Sequence, residues 1–185
     1  MNHLATSKED ILAASRDLIK ENGWAAVSIR AVASRCSVSA GTIYNYYESK
    51  ADLLSDTIES IWHEIFFHPE DEQVFHDVES CISWIYERLE YGNSQFPGFF
   101  SLHSFGFMRD EKTSGKKKMM QTWGHILNGL CEVLGNDPKV RSGVFDEEFT
   151  EKKFADILFS LILVSMIRQD YDPSSVLMLV KKTLY

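Results

Sequence analysis

Three serines, at positions 28, 39 and 49, constrain the fold more than any other feature of this sequence, because each opens a segment of helical apolar spacing. A serine hydroxyl satisfies a free N–H of a first helical turn, so such a residue ahead of an apolar-periodic stretch marks a helix start. Starts this close together leave room for helices of about two turns with a tight turn between them. Ser28 caps a helix over 29–35 with Ile29, Val32 and Ala33 inward, Cys36-Ser37-Val38 turns the chain, and Ser39 caps a second helix over 40–46. Ahead of them, Ser7, with Asp10 three residues on, caps a longer helix over 8–22 that places Ile11, Leu12, Leu18 and Ile19 together, and Gly23 stops it. Ser49, with Asp52, opens a fourth helix that runs through Leu53, Leu54, Ile58, Ile61, Trp62 and Ile65 towards Phe67, and Pro69 ends it.

Two short helices joined by a three- or four-residue turn form a helix-turn-helix, with Val32, Ala33, Val38 and Ile43 fixing the angle. Ala40 and Gly41 open the second helix almost without side chains, which lets its backbone approach a duplex closely. Thr42, Tyr44, Asn45 and Tyr46 then crowd hydrogen-bonding groups onto two turns, where a purely structural surface helix would more often expose Lys and Glu.

Three runs carry a family resemblance: Val27-Ser28-Ile29-Arg30-Ala31-Val32-Ala33, Val38-Ser39-Ala40-Gly41-Thr42-Ile43-Tyr44-Asn45-Tyr46-Tyr47, and Ser49-Lys50-Ala51-Asp52-Leu53-Leu54. In order and spacing, and with Gly23-Trp24 ahead of them, they resemble the TetR-family DNA-binding domain over about residues 8–60. The resemblance implies that Ser39, Ala40, Thr42 and Asn45 reach base edges in the major groove, with Gly41 allowing the approach. It implies that Tyr44 and Tyr46 place phenol hydroxyls on phosphates, that Lys50 meets a phosphate at the start of the fourth helix, and that Ser28 and Arg30 start the helix crossing the backbone. Tyr47 stands where the family usually has Phe, so its ring packs inward only if its hydroxyl finds water or a partner. The Asn45 position varies in the family, which leaves its base target open.

The chain divides into a helix-turn-helix domain over 1–50 and a helical domain over 51–185, joined by a connecting helix over 51–67. No alternating strand pattern occurs, and the fold class is all-α: an N-terminal three-helix DNA-binding domain plus a C-terminal helical bundle for ligand binding and dimerisation. Further helices are expected over 71–91, 97–109, 115–134, 148–169 and 173–184. Nineteen of the 23 aromatic residues lie beyond residue 60. Family resemblance implies a ligand pocket in this bundle, for which Trp62, Phe66, Trp84, Phe99, Phe100, Phe105, Met108, Met120, Trp123 and Leu127 are the candidates, and a small apolar or aromatic effector. Residues 154–167 are apolar nearly all round and need covering on two sides. With the amphipathic helix that follows, they suit a homodimer interface of four helices, at Phe154, Leu158, Leu161, Ile162, Ser165, Val176, Leu177, Val180 and Leu184. A twofold dimer would read an inverted repeat in double-stranded operator DNA.

The net charge of −8 hides an asymmetry: residues 1–50 carry six Lys/Arg against five Asp/Glu, and the remainder 13 against 22. Only the first part approaches phosphates without strong repulsion. Cys36, Cys81 and Cys131 are far apart and odd in number, which speaks for free thiols. The dispersed histidines show no metal spacing, His63-Glu64 lacks the second His of a zinc-protease motif, and no catalytic constellation, phosphate loop or dinucleotide fingerprint appears. No metal, no cofactor, no enzyme activity, no membrane partner and no signal peptide are expected, and the cytoplasm is the expected location. The leading reading is a ligand-released repressor. The alternatives are a ligandless or protein-regulated DNA-binding adaptor of the same fold, and a helical-bundle enzyme or carrier.

Overall fold

A computed structural model describes residues 6–66, 75–100 and 114–185, with side chains at the start of the last stretch described at Met120 and from Trp123 on. Its regular elements among these residues are helices, apart from one 3-10 turn. Helix α1 (Lys8–Asn22) begins in a capping box: Ser7 Oγ accepts the Asp10 amide at 3.1 Å, and Asp10 accepts the Ser7 amide at 2.9 Å. Gly23, at φ 75°, ends α1 with its amide on the Ile19 carbonyl, a left-handed conformation that a side chain would resist. A 3-10 turn (Trp24–Ala26) leads into α2 (Ile29–Arg35), α3 (Ala40–Tyr44) and α4 (Lys50–Phe66).

Helix α4 packs against α1 on one side and against α5 (Val78–Gln95) and α6 (Ser114–Asn136) on another. Its buried stripe is Leu53, Thr57, Ile58, Ile61, Trp62, Ile65 and Phe66. Glu64 binds Arg16 at 3.0 Å and Lys20 at 2.6 Å, and Asp56 binds Lys8 at 2.6 Å, so α1 is also tied to α4 by ion pairs along its length. The approach of α5 to α4 requires Gly92: a Cβ there would lie 2.6 Å from Ile65 Cδ1 and 2.9 Å from Phe100 Cζ. Next to it Arg88 reaches over and donates to the carbonyls of Glu64 and Ile65, satisfying acceptors that the last turn of α4 leaves open.

Helices α7 (Glu151–Arg168, capped by Thr150) and α8 (Ser174–Leu184) complete the bundle, α7 against α6 and α8 against α5. Phe154, Leu158, Ile162 and Met166 of α7, with Val176, Val180 and Leu184 of α8, fill the bundle core alongside Ile82, Ile85 and Leu89 of α5. This corrects the expected interface. Phe154, Leu158, Ile162, Val176, Val180 and Leu184 face the protomer's own interior, and the Ser165 hydroxyl is hydrogen-bonded to Tyr86 at 2.8 Å. Leu161 and Leu177 are half-buried. The apolar side chains left exposed are Ile157, Val164 and Ile167 of α7 and Met178 and Leu179 of α8. The helix boundaries moved as well: α5 starts at Val78, where Asp77 caps it, and α8 starts one residue after Pro173, with Asp172 accepting the Ser174 amide.

At the far end of the bundle a polar knot closes three elements. Asp137 is buried and accepts from the Val78 amide at 2.9 Å, the Lys139 amide at 2.8 Å and the Tyr185 hydroxyl. Beside it, Asp77 accepts from Ser80 at 2.7 Å and pairs with Lys139 at 2.7 Å. The Lys139 ammonium, and then the Ser80 amide and hydroxyl, pull the Asp77 carboxyl from 3.8 to about 2. A carboxylate lowered on folding stabilises above its unfolded pKa and loses that contribution as pH falls through the folded one. Asp77 therefore supports the fold fully above about pH 4 and ceases to do so near pH 2. Asp77→Asn keeps a capping oxygen and removes the charge. Urea titrations at stepped pH are expected to show the variant less stable than the parent at pH 7 and the two converging between pH 4 and 2; parallel curves would refute the assignment.

Candidate nucleic-acid interface

The α2–α3 corner is built from local bonds. Ser28 Oγ accepts the Ala31 amide at 3.1 Å and Ser39 Oγ accepts the Thr42 amide at 3.1 Å, so both expected caps form. Between the helices, Ser37 takes φ 56°, and the Val38 amide returns to the Ala33 carbonyl at 2.9 Å. Val32, Ala33 and Ile43 are buried beneath the turn, with Val38 packed against them. The second helix is shorter than expected, ending at Tyr44 with Asn45 as its C-cap.

Its outward face carries Ser39, Gly41, Tyr44 and Asn45, all exposed, with Thr42 partly so; Tyr44 is 55% exposed. Ser39 and Thr42 hydroxyls lie 3.0 Å apart, so the cap and the neighbouring side chain form one polar unit. A Cβ on Gly41 would meet only Ser39 Oγ, at 3.6 Å, so nothing within the chain needs a glycine there. Ala40 is half-buried.

Tyr46 does not behave as expected. Its hydroxyl donates to the Thr6 carbonyl at 2.7 Å, fastening the end of the α3 segment to the chain just ahead of α1. A phosphate oxygen only accepts, and a phenol has one proton to give, so this bond is made at the expense of a phosphate contact. Tyr47 packs inward as expected, but its hydroxyl is buried with no hydrogen-bond partner among the described residues; burial raises its pKa, and the nearby Asp56 and Glu9 carboxylates raise it further.

The cations of this domain separate into two sets. Lys8, Arg16, Lys20 and Arg35 are each paired with a carboxylate, Arg35 with Glu21. Arg30, in the first turn of α2, and Lys50, the first residue of α4, are exposed, and no ion pair holds either of them among the described residues.

Residues 11–57 match the family model described as bacterial regulatory proteins, tetR family. The match lies on the helix-turn-helix and the first part of α4, which are similar to the DNA-binding domain of that family. Among curated proteins it is similar to the HTH-type transcriptional regulator UidR of Escherichia coli strain K12, at 38% identity over 48 residues, 26% of this chain and 24% of that one. The match thus spans about a quarter of the length of the curated relatives. Over nearly its whole length the chain shares its fold with the transcriptional regulator FadR from Bacillus subtilis solved with stearoyl-CoA, with a TM-score of 0.66 at 20% identity, covering 97% of this chain and 100% of that one. A TetR transcription regulator from Haloarcula marismortui gives a TM-score of 0.67 at 17% identity, covering 96% and 95%. Reduced Escherichia coli NemR gives 0.65 at 16%, covering 96% and 97%. The architecture is therefore that of these solved regulators: a helix-turn-helix domain followed by a helical domain.

The helical domain contains a cavity of about 740 Å³, and it is not where the aromatic residues predicted it. Of the candidates, only Phe66 and Trp84 line it. Trp62, Phe99 and Phe100 are packed into one another, with ring centroids 5.2–5.6 Å apart, and Trp24 of the first domain stacks on Phe99 at 5.7 Å. Met120 is exposed, Trp123 packs edge-on against Phe159, Leu127 is half-buried outside the cavity wall, and Phe105 and Met108 lie outside the described residues. The wall is made instead by the end of α4, the first turns of α5 and one face of α6, where His76, His125, Glu132 and Asn136 supply polar groups. Sequence reasoning missed these four. The signal was available in α6, whose His125, Gly129, Glu132 and Asn136 recur at helical spacing between apolar neighbours. Among the described residues no cluster of His, Cys, Asp and Glu is suited to a metal ion, and no helix is long and apolar enough to cross a membrane.

The Tyr46 bond is testable in isolation. Tyr46→Phe is expected to lower stability by about 1 kcal/mol, the usual net value of such a bond, whereas Tyr44→Phe leaves stability unchanged because its ring stands in solvent. Thermal unfolding of the two variants side by side decides it; equal melting points would remove the positioning role from Tyr46.

Proposed function

We propose that this chain is a one-component transcriptional repressor: a homodimer that holds an inverted-repeat operator with two helix-turn-helix corners and releases it when a small molecule enters the bundle. The observation that carries the DNA reading is the sorting of cations. Four are committed to carboxylates of the chain, and the two that have no ion pair among the described residues, Arg30 and Lys50, flank α3 in the sequence at the starts of α2 and α4. Between them α3 presents Thr42, Tyr44 and Asn45 with Ser39, Ala40 and Gly41 at its base. In this reading Arg30, Lys50, Tyr44 and Ser28 contact phosphates, and Thr42, Asn45, Ser39 and Ala40 face base edges. With two cations of the first domain carrying no ion pair among the described residues, non-specific affinity is modest, and specificity then rests on α3.

Selection of bound DNA is expected to return an inverted repeat, its half-sites separated by about one helical turn of ~34 Å or a multiple. Lys50→Ala weakens every sequence alike and lowers the salt slope by about one unit per protomer, while Thr42→Ala changes preference at particular positions by ~1–3 kcal/mol. A Lys50→Ala protein with altered sequence preference and an unchanged salt slope would reverse the two assignments.

The dimer reading rests on the exposed apolar side chains of α7 and α8. Ile157 and Val164 are exposed two turns apart on α7 with the half-buried Leu161 between them, and Met178 and Leu179 are exposed on α8. A second copy of the chain would cover them. Val164→Asp, exposed in the single chain, places a charge on that face without disturbing the protomer core. It is expected to give folded monomers in sedimentation with weakened operator binding, and a stable dimer would move the interface elsewhere.

The effector reading rests on the cavity. Phe66, the last residue of α4, stands in its wall, and Lys50, the first, stands at the proposed DNA face, so one rigid helix joins the two sites. A regulator of this fold, FadR from Bacillus subtilis, was solved with stearoyl-CoA, which supports reading the bundle as one that takes small molecules.

A further inference from the structure

The chemistry of the cavity wall selects among small molecules, and this step rests on the effector reading above. Among the described lining residues the one charged side chain is Glu132; Lys and Arg are absent. The apolar part is dominated by three rings, with Trp84 meeting Phe66 at 5.9 Å and Phe75 at 5.2 Å, both edge-on or tilted. Glu132 is exposed at the α6 side of the cavity and the rings belong to α4, α5 and the segment just before α5, so the carboxylate stands at the rim and comes from a different element than the aromatic wall. An aromatic face attracts a cation, and a carboxylate at the edge of an apolar space attracts it too. A carboxylate or phosphate ligand would meet the same groups with the opposite sign and find no guanidinium or ammonium among them.

We propose that the cavity binds a hydrophobic organic cation, an aromatic amine or quaternary ammonium, with its charge held between Glu132 and the Phe66–Trp84–Phe75 rings. Gly129 supports the assignment of place. It is exposed in mid-helix among the lining residues, and a Cβ there would meet nothing within 4 Å, so a larger side chain at 129 has open space at the cavity wall and does not displace the core.

Tetraphenylphosphonium and tetraphenylborate have one shape and opposite charge, and calorimetric titration of both into the full-length protein at physiological salt separates charge from hydrophobic burial. The phosphonium is expected to bind at least about tenfold more tightly than the borate, a difference of about 1.4 kcal/mol. Glu132→Gln brings that ratio towards one. Glu87→Gln, an exposed carboxylate of α5 outside the cavity wall, leaves it unchanged and so controls for the net charge of −8. Gly129→Phe abolishes binding of both probes. Borate binding as tight as phosphonium, a ratio insensitive to Glu132→Gln, phosphonium binding that survives Gly129→Phe, or no binding of either probe would each overturn the proposal. Operator affinity measured on the same samples keeps the two readings apart: Glu132-dependent phosphonium binding that leaves operator affinity unchanged supports the ligand class and overturns the effector role.

Discussion

The apolar stripe of α4 has to serve two domains at once. From Leu53 to Phe66 it gives the helix-turn-helix something to pack on and gives α5 and α6 the same. A helix buried on two sides has little freedom to slide against either, so its contacts are made close and specific. Gly92 is the clearest sign, since even a methyl group there would collide with Ile65 and Phe100. Arg88 binds the open carbonyls at the α4 C-terminus, and Glu64 gathers two cations from α1. Packing of this density transmits displacement rather than absorbing it.

The electrostatics of the first domain follow from the same arrangement. Holding α1 against α4 consumes Lys8, Arg16 and Lys20, and holding α2 against α1 consumes Arg35. These pairs are partly exposed and individually weak, but together they neutralise most of the positive charge that composition assigns to residues 1–50. What remains outward is a neutral, hydroxyl-rich α3, with Arg30 before it and Lys50 after it carrying no ion pair among the described residues. In the proposed repressor such a surface attracts DNA weakly in general, so discrimination must come from short-range contacts, and the caps that fix Ser39 and Thr42 matter for that reason.

What was legible in the sequence was what local rules control. Ser7, Ser28, Ser39 and Ser49 cap helices, Gly23 ends one, and the corner turns at residues 36–38, all from interactions spanning a few residues. The errors share one cause, partners distant in sequence. The Tyr46 hydroxyl was assigned outward and instead bonds a carbonyl 40 residues away. Aromatic content indicated a cavity but not its location, because Trp62, Phe99 and Phe100 satisfy one another and the open space lies against α6, where polar residues interrupt the apolar pattern. Helix α7 shows a different limit. Where apolar residues surround a helix, periodicity carries no phase, so the stripe Phe154, Leu158 and Ile162 could not be told from the stripe Ile157, Leu161 and Val164.

Two routes connect the cavity to the helix-turn-helix, and they differ in consequence. One is α4 itself, with Phe66 in the cavity wall and Lys50 at the outer end. The other bypasses its length: Trp24, between α1 and α2, stacks on Phe99, and Lys20 lies 4.9 Å from the Phe96 ring, so the segment following α5 touches the first domain directly. A displacement of α4 alone would shear the Trp24–Phe99 stack, while a displacement of α4 together with residues 96–100 would carry it along. Trp62 packs on Phe99 and Phe100, and Gly92 locks α5 to both Ile65 and Phe100, so α4, α5 and this segment are joined by contacts that leave no room for relative sliding. The collective movement is the cheaper one. A ligand that prefers one position of this unit shifts the first domain by that preference and no more. In the proposed repressor, whatever a ligand does to operator binding, the operator does to ligand binding by the same factor.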